Sequence, residues 1–344
     1  MKTHSLISNL LSLLLFLPVL SCSNNPLGFS KSTGMPYEIA VTMDKAVWEG
    51  EAGEAIRADL ESEVPGLPQS EPALRVMFAT SENFGSLLQY VRNVLIVNVN
   101  DRMYTTVNLM YENDRWAKDQ VVLTLNAPDT KSVTDYLSLH KNELTKFFTK
   151  IEMNRATLSF EKDYGIGVRD SLKKKFDILM HVPSDMTSTQ SKKDFFWTSN
   201  NAKTGRTDVI VYTFPYTDEQ TFTGEYLIAK RDSVLKINLP GAFPDSYMAT
   251  QTLAGIEYTP VTVRGKYCGV LRGLWKMVGD MMGGPFVSHI RLDEVNNRIV
   301  VVEGFVYAPE TEKRNYIRRV EAALYTLRLP GEFDQPVAEP LKIK

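Results

Sequence analysis

Cysteine is scarce in this 344-residue chain, with Cys22 and Cys268 as its two thiols. No disulfide framework follows, so stability rests on a buried core, which this length can supply. Histidine is nearly as rare, with four in all, and none stands in a metal-ligand spacing that would complete a site. Charge of one sign is missing too. A formal net charge of −2 is too near neutral, and of the wrong sign, for a protein that binds nucleic acid by neutralising phosphates. Beyond residue 21 no run reaches the roughly 18 apolar residues that a spanning helix requires. Also lacking are a Gly-x-Ser-x-Gly elbow, a Ser-x-x-Lys set with its companion motifs, and the third glycine that would make Gly165-Ile-Gly-Val-Arg-Asp170 a dinucleotide fingerprint. The remaining composition, 43% hydrophobic and 23% charged, is that of an ordinary globular protein. These patterns point to no catalytic residue, metal ligand or cofactor.

What is present begins at the N-terminus. Lys2 and His4 precede an apolar stretch from Leu6 to Leu20, broken by Ser8, Asn9 and Ser12. That stretch is too short to span a bilayer and has the length of a signal-peptide centre. It ends in Val19-Leu20-Ser21-Cys22, which resembles the bacterial lipobox. A thiol is needed there because sulfur is nucleophilic enough to take a diacylglyceryl group as a thioether. Cleavage before it frees an amine for a further acyl chain such as palmitate. Each buried methylene contributes about 0.8 kcal/mol, so several chains anchor durably where one does not. The plain alternative is a secretory signal with a coincidental cysteine, or an uncleaved anchor. The expectation is a lipoprotein signal peptide over 1–21, lipidation at Cys22, and the membrane as partner through that acyl anchor. Residues 22–36, rich in Ser, Asn, Gly and Pro, read as a flexible tether. An acidic run beside the cysteine, which resembles a surface-export tag in Bacteroides-like lipoproteins, is lacking. The body is therefore expected on the outer membrane, facing the periplasm.

Periodicity predicts an α+β fold of mostly antiparallel sheets with helices packed on one face. An N-terminal half over 37–163 carries strands at Tyr37–Met43, Leu74–Thr80, Val94–Val99, Tyr104–Met110 and Gln120–Leu125. Helices are expected over Glu51–Ser62 and Glu82–Tyr90. Asp129 caps a long helix whose Val133, Leu137, His140, Leu144, Phe148 and Ile151 share one face. Tyr164-Gly-Ile-Gly-Val168 breaks the pattern. A C-terminal half over 164–331 follows, with strands at Phe176–His181, Phe195–Ser199, Asp208–Phe214, Tyr258–Arg264, Tyr267–Met277, Phe286–Leu292 and Arg298–Tyr307. Its helices are expected over Asp218–Leu235 and Glu312–Leu327. Asp293-Glu-Val-Asn-Asn297 reads as a hairpin turn, since Asn tolerates positive φ. Residues 332–344 read as a tail. Each half ends in a long helix, so two similar halves arisen by duplication remain an open alternative.

Several blocks resemble the domain-of-unknown-function 4837 family of lipoproteins from Bacteroides-like bacteria. In the first half they are Trp48-Glu-Gly-Glu-Ala-Gly53, Val64-Pro-Gly-Leu-Pro-Gln-Ser-Glu-Pro72 and Arg92-Asn-Val-Leu-Ile-Val97. In the second they are Arg231-Asp-Ser-Val-Leu235, Arg272-Gly-Leu-Trp275, Met282-Gly-Gly-Pro-Phe286, Gly304-Phe-Val-Tyr-Ala-Pro309 and Lys313-Arg-Asn-Tyr-Ile-Arg318. The resemblance spans nearly the whole mature chain and implies a lipoprotein of one architecture. It implies no activity.

Candidate ligand contacts are Trp48, Arg92, Trp116, Arg272, Trp275, Gly283 and Gly284. Indole rings offer flat faces, guanidinium groups a planar fork for carboxylate or phosphate, and paired glycines a close backbone approach. Against each stands plain packing. His140 with Glu143 could hold a metal ion, but a core histidine is the simpler reading. Cys268 in a strand reads as a small buried hydrophobe. Lys313, Arg314, Arg318 and Arg319, diluted by Glu310, Glu312 and Glu321, read as a solvated helix face. The functional expectation is a non-enzymatic binding or structural module of the cell envelope, acting on a small ligand or another envelope protein. Its alternatives are a hydrolase of envelope glycan or peptide, and a surface glycan-capture protein.

Overall fold

The computed structural model describes residues 30–85 and 87–336. Cys22, the signal peptide and most of the tether lie outside the described residues. The first half runs β1 (Glu38–Met43), α1 (Lys45–Glu49), α2 (Glu51–Leu60), β2 (Arg75–Thr80), β3 (Asn93–Val99), β4 (Asn108–Asn113), β5 (Val121–Ala127), α3 (Thr130–Leu139) and α4 (Glu143–Ser159). The second runs α5 (Ile166–Phe176), β6 (Ser188–Lys192), β7 (Phe195–Ser199), β8 (Arg206–Pro215), α6 (Gly224–Asn238), β9 (Tyr247–Thr250), β10 (Glu257–Val263), β11 (Lys266–Val278), β12 (Gly283–Asp293), β13 (Arg298–Tyr307) and α7 (Arg314–Leu324). The α+β class holds, with two corrections of detail.

The first correction is confined to one sheet, since antiparallel pairing predominates overall as expected. The first sheet has the order β2-β1-β3-β5-β4, and every pair in it is parallel except β4 with β5. Its central strands are buried on both faces. Ile39, Val41 and Met43 meet α2, α3 and α4, while Ala40, Val94 and Val122 meet Phe84 and Leu88 on the other side. Burial on both faces is the mark of parallel strands. The β1–β2 link through α1 and α2 covers one face, and the β2–β3 link steps back the other way and covers the opposite one. Right-handed crossovers require that arrangement.

The second correction concerns helix placement. The second sheet is antiparallel throughout, in the order β10-β11-β12-β13-β8-β7-β6, with β9 on the far end of β11. Helices α5 and α7 cover one face and α6 the other. One mixed five-stranded sheet and one antiparallel eight-stranded sheet do not make two similar halves.

Local departures have local causes. The expected long helix is two, because Asn142 takes φ +59 between α3 and α4. His140 is therefore exposed and stacks on Tyr136 at 4.2 Å. Tyr164–Val168 starts α5, with Gly165 as N-cap, and Phe176–His181 is not a strand. Glu82–Tyr90 holds one short 3-10 turn at Leu88–Tyr90. The Asp293–Asn297 turn forms as expected, with Asn297 at φ +47. Glu332, expected in the tail, is buried and clamps Arg291 through contacts of 2.5 and 2.8 Å.

Arg231 of α6 is 1% exposed inside the second half. Its guanidinium donates twice to Glu303 of β13, at 2.8 and 2.7 Å, and once to Thr250 at 2.8 Å. Ser288 donates to the same carboxylate at 2.6 Å. A charge pair this deep holds only when nearly every donor and acceptor is met. Arg231→Ala strands Glu303 without a counter-charge, so we expect a loss of about 3–5 kcal/mol. The check is the urea midpoint, with the slope unchanged.

Candidate functional site

The site begins with how the halves join. The segment between α2 and β2 leaves the first half and lies against α7. Glu71 accepts hydrogen bonds from the backbone N–H groups of Lys313 (2.7 Å) and Arg314 (2.9 Å). Those N–H groups open α7 and have no partner inside the helix. A carboxylate there also meets the positive end of the helix dipole. Lys313, at the N-cap position, caps nothing with its own side chain, so α7 takes its cap from the other half. Arg314 donates to the Pro72 carbonyl and Arg318 to that of Ala73, both at 2.7 Å. The Arg318 guanidinium also lies 4.2 Å above the Tyr37 ring. Thr157 of α4 donates to the Ala322 carbonyl at 3.2 Å. Gly66, at φ +75, lets the segment lie against Gly273 of β11.

These contacts overturn the reading of the basic patch as a solvated face. Lys313, Arg314 and Arg318 are buried, because backbone oxygens, Gln69 and Glu71 of the first half receive them. Arg319 alone of the four is half-buried, and it pairs with Asp185 at 3.1 Å.

Between α4, the Ser62–Gly66 segment, the end of β10 and α7 opens a cleft of about 850 Å³, the size of small-molecule sites. Met153, Val261, Val263 and Ile317 stand on its walls, with Arg272, Arg318, Glu321 and Tyr325 also lining it. Arg272 and Glu321 pair at 2.5 Å. Burial alone would raise the Glu321 pKa; Arg272, with help from His289 and Arg318, outweighs it and holds the carboxyl below its usual range. His289 packs edge-on against Tyr325 at 4.5 Å. Burial pushes its pKa down to about 4, and its Nε2 has no hydrogen-bond partner among the described residues. Cys268 is buried, and that burial pushes its thiol up to about 12, which keeps it protonated.

Of the candidate ligand contacts, the structure brings only Arg272 to the cleft. Trp48 stacks on Phe78 at 4.3 Å with the Arg57 guanidinium over its ring. Arg92 pairs with Glu152 at 2.8 Å. Trp116 meets Phe84 edge-on, with Arg115 above it. Trp275 is buried on the α6 side and donates its indole N–H to Val306 at 3.1 Å. Gly283 and Gly284 lie inside β12, where a Cβ on Gly284 would sit 2.0 Å from the Val306 oxygen. Strand packing, rather than a pocket rim, demands glycine there. Of the four tryptophans Trp275 is buried and the other three are half-buried. Glu143 accepts from Tyr136 at 2.7 Å and makes no metal pair with His140. Among the described residues no three His, Cys, Asp or Glu side chains gather as a metal site. Sequence reasoning missed Glu321 and Tyr325. The available signal was Glu321 on the apolar stripe of α7, four residues after Ile317.

Two measurements check this arrangement. Glu71→Ala uncaps α7 and should cost about 1–2 kcal/mol, read by chemical denaturation. His289 is neutral in the folded protein, whereas in the unfolded chain it returns to the ordinary histidine value of 6.5. Between pH 6.5 and 4 the unfolded chain therefore binds more protons, and stability falls as pH falls. A series of unfolding midpoints across that window should become shallower in His289→Gln and keep the share of His181, whose pKa burial also pushes down to about 4.

Two family models match the chain. Residues 167–326 match one described as Domain of unknown function (DUF4837), and residues 32–161 match another, Domain of unknown function (DUF8532). The blocks at Trp48, Val64–Pro72 and Arg92 therefore fall to the second of these, and those from Arg231 onward to the first. No curated protein matches the chain. Among solved structures, the Saccharomyces cerevisiae Ran-binding protein Mog1p is similar at 12% identity and a TM-score of 0.30, over 44% of this chain and 89% of its own. A protein from Bacteroides thetaiotaomicron is similar at 14% identity and a TM-score of 0.25, over 45% of this chain and 46% of its own. The half that holds α7, the cleft-facing strands and the Arg231–Glu303 pair therefore carries, over residues 167–326, the domain that defines the DUF4837 family.

Proposed function

We propose that this is a lipid-anchored envelope protein, facing the periplasm, that works by binding: the cleft between its halves takes a ligand while acyl chains on Cys22 hold the body at the outer membrane. The observation that carries the reading is a ligand-sized cleft whose walls come from both halves. Its chemistry suits holding rather than turnover. Glu321 is kept ionised by Arg272, His289 is kept neutral and the Cys268 thiol protonated by burial. None of these groups is poised as an acid, base or nucleophile near neutral pH.

The test takes the native protein from membranes. Mass spectrometry should find a diacylglyceryl thioether on Cys22, and Cys22→Ser should move the protein to the aqueous fraction. A small molecule should co-purify with the native chain and be lost from Val261→Trp, which fills the cleft. A free Cys22 thiol would overturn the anchor. An unchanged bound content in Val261→Trp would overturn the cleft.

A further inference from the structure

The cleft lining carries five cationic side chains, Lys146, Lys150, Arg264, Arg272 and Arg318, against two carboxylates, Glu63 and Glu321. The chain as a whole has a formal charge of −2, so the cleft concentrates charge opposite to that of the body. Both carboxylates already have partners: Arg272 holds Glu321, and Ser70 donates to Glu63 at 2.7 Å, while Arg318, Arg264 and Lys146 donate to neutral carbonyls of Ala73, of Leu327 and Tyr325, and of Lys141. Lys146 and Lys150 stand one turn apart on α4 and are exposed at the opening. An electropositive concavity with low-dielectric walls draws anions.

Charge alone does not describe the site. Met153 from α4, Val261 and Val263 from β10 and Ile317 from α7 present apolar surface to the same cavity, and covering it with a polar anion would gain nothing. Removing apolar area from water is favourable, so an occupant that carries its own hydrocarbon is favoured over sugar phosphate or free phosphate. Resting on the binding reading above, we infer that the cleft takes an amphipathic anion, an acyl chain against the apolar wall and a carboxylate or phosphate head among the lysines and arginines. A free fatty acid and a lysophospholipid share that chemistry.

The experiment uses the native lipidated protein in phosphatidylcholine vesicles and a long-chain fatty acid bearing a diazirine. Photolabelling should saturate on the peptides containing Met153, Val261 and Ile317. The fatty alcohol of the same chain should label far less, and inorganic phosphate should not compete. The double reversal Lys146→Glu and Lys150→Glu, at exposed positions that leave the core untouched, should weaken labelling about tenfold. Unlabelled oleate and lysophosphatidate tell the two sources apart by their potency as competitors, and displacement by either sustains the inference. Equal labelling by acid and alcohol, or labelling that misses the cleft or never saturates, overturns it. A co-purifying ligand of another class, lost from Val261→Trp, would sink this inference and leave the binding reading standing. A cleft with neither label nor native ligand would sink both.

Discussion

Two hydrogen bonds from α7 to Glu71 govern how this molecule is put together. The first turn of a helix leaves N–H groups unpaired, and burying them without a partner costs free energy comparable to a lost hydrogen bond. Here the partner is a carboxylate from the opposite half. Arg314 and Arg318 then reach back to the carbonyls of Pro72 and Ala73. The joint is thus polar and directional, which fixes where α4 and α7 stand relative to each other. That placement forms the cleft.

Each sheet meets burial differently. The first is narrow and parallel at its centre, with helices on one side and a looped connection on the other. The second is wide and antiparallel, with helices on both sides. Three of the charges buried in the second stand in ion pairs: Arg231 with Glu303, Arg291 with Glu332, Arg272 with Glu321. The first two lie within the second half's own packing. The third lines the cleft, where α7 faces β11.

Much of the fold was legible in the sequence because strands and amphipathic helices carry periodicity. The runs that became β1, β3, β5 and β10 to β13, and the stripe of α7, were read directly. What failed depended on partners distant in sequence. Parallel pairing was hidden because the burial of β1 on both faces comes from α2 to α4 and from the Phe84–Leu88 stretch, which lie elsewhere in the chain. The helix break at Asn142 turns on one left-handed residue. The burial of Lys313, Arg314 and Arg318 depends on a segment some 240 residues earlier, which no local pattern reveals. The cleft was least legible of all. Tryptophan and glycine drew attention as ligand contacts, yet their shapes serve packing, while Glu321 was discounted as a diluting charge.

The borrowed cap also imposes an order on the making of the protein. Chains are synthesised, and domains fold, from the N-terminus, so Glu71 is in place long before Lys313 and Arg314 emerge. The closing helix therefore meets a receptor that already exists. A chain stopped short of α7 would leave the Glu71 carboxylate and the carbonyls of Pro72 and Ala73 without these partners.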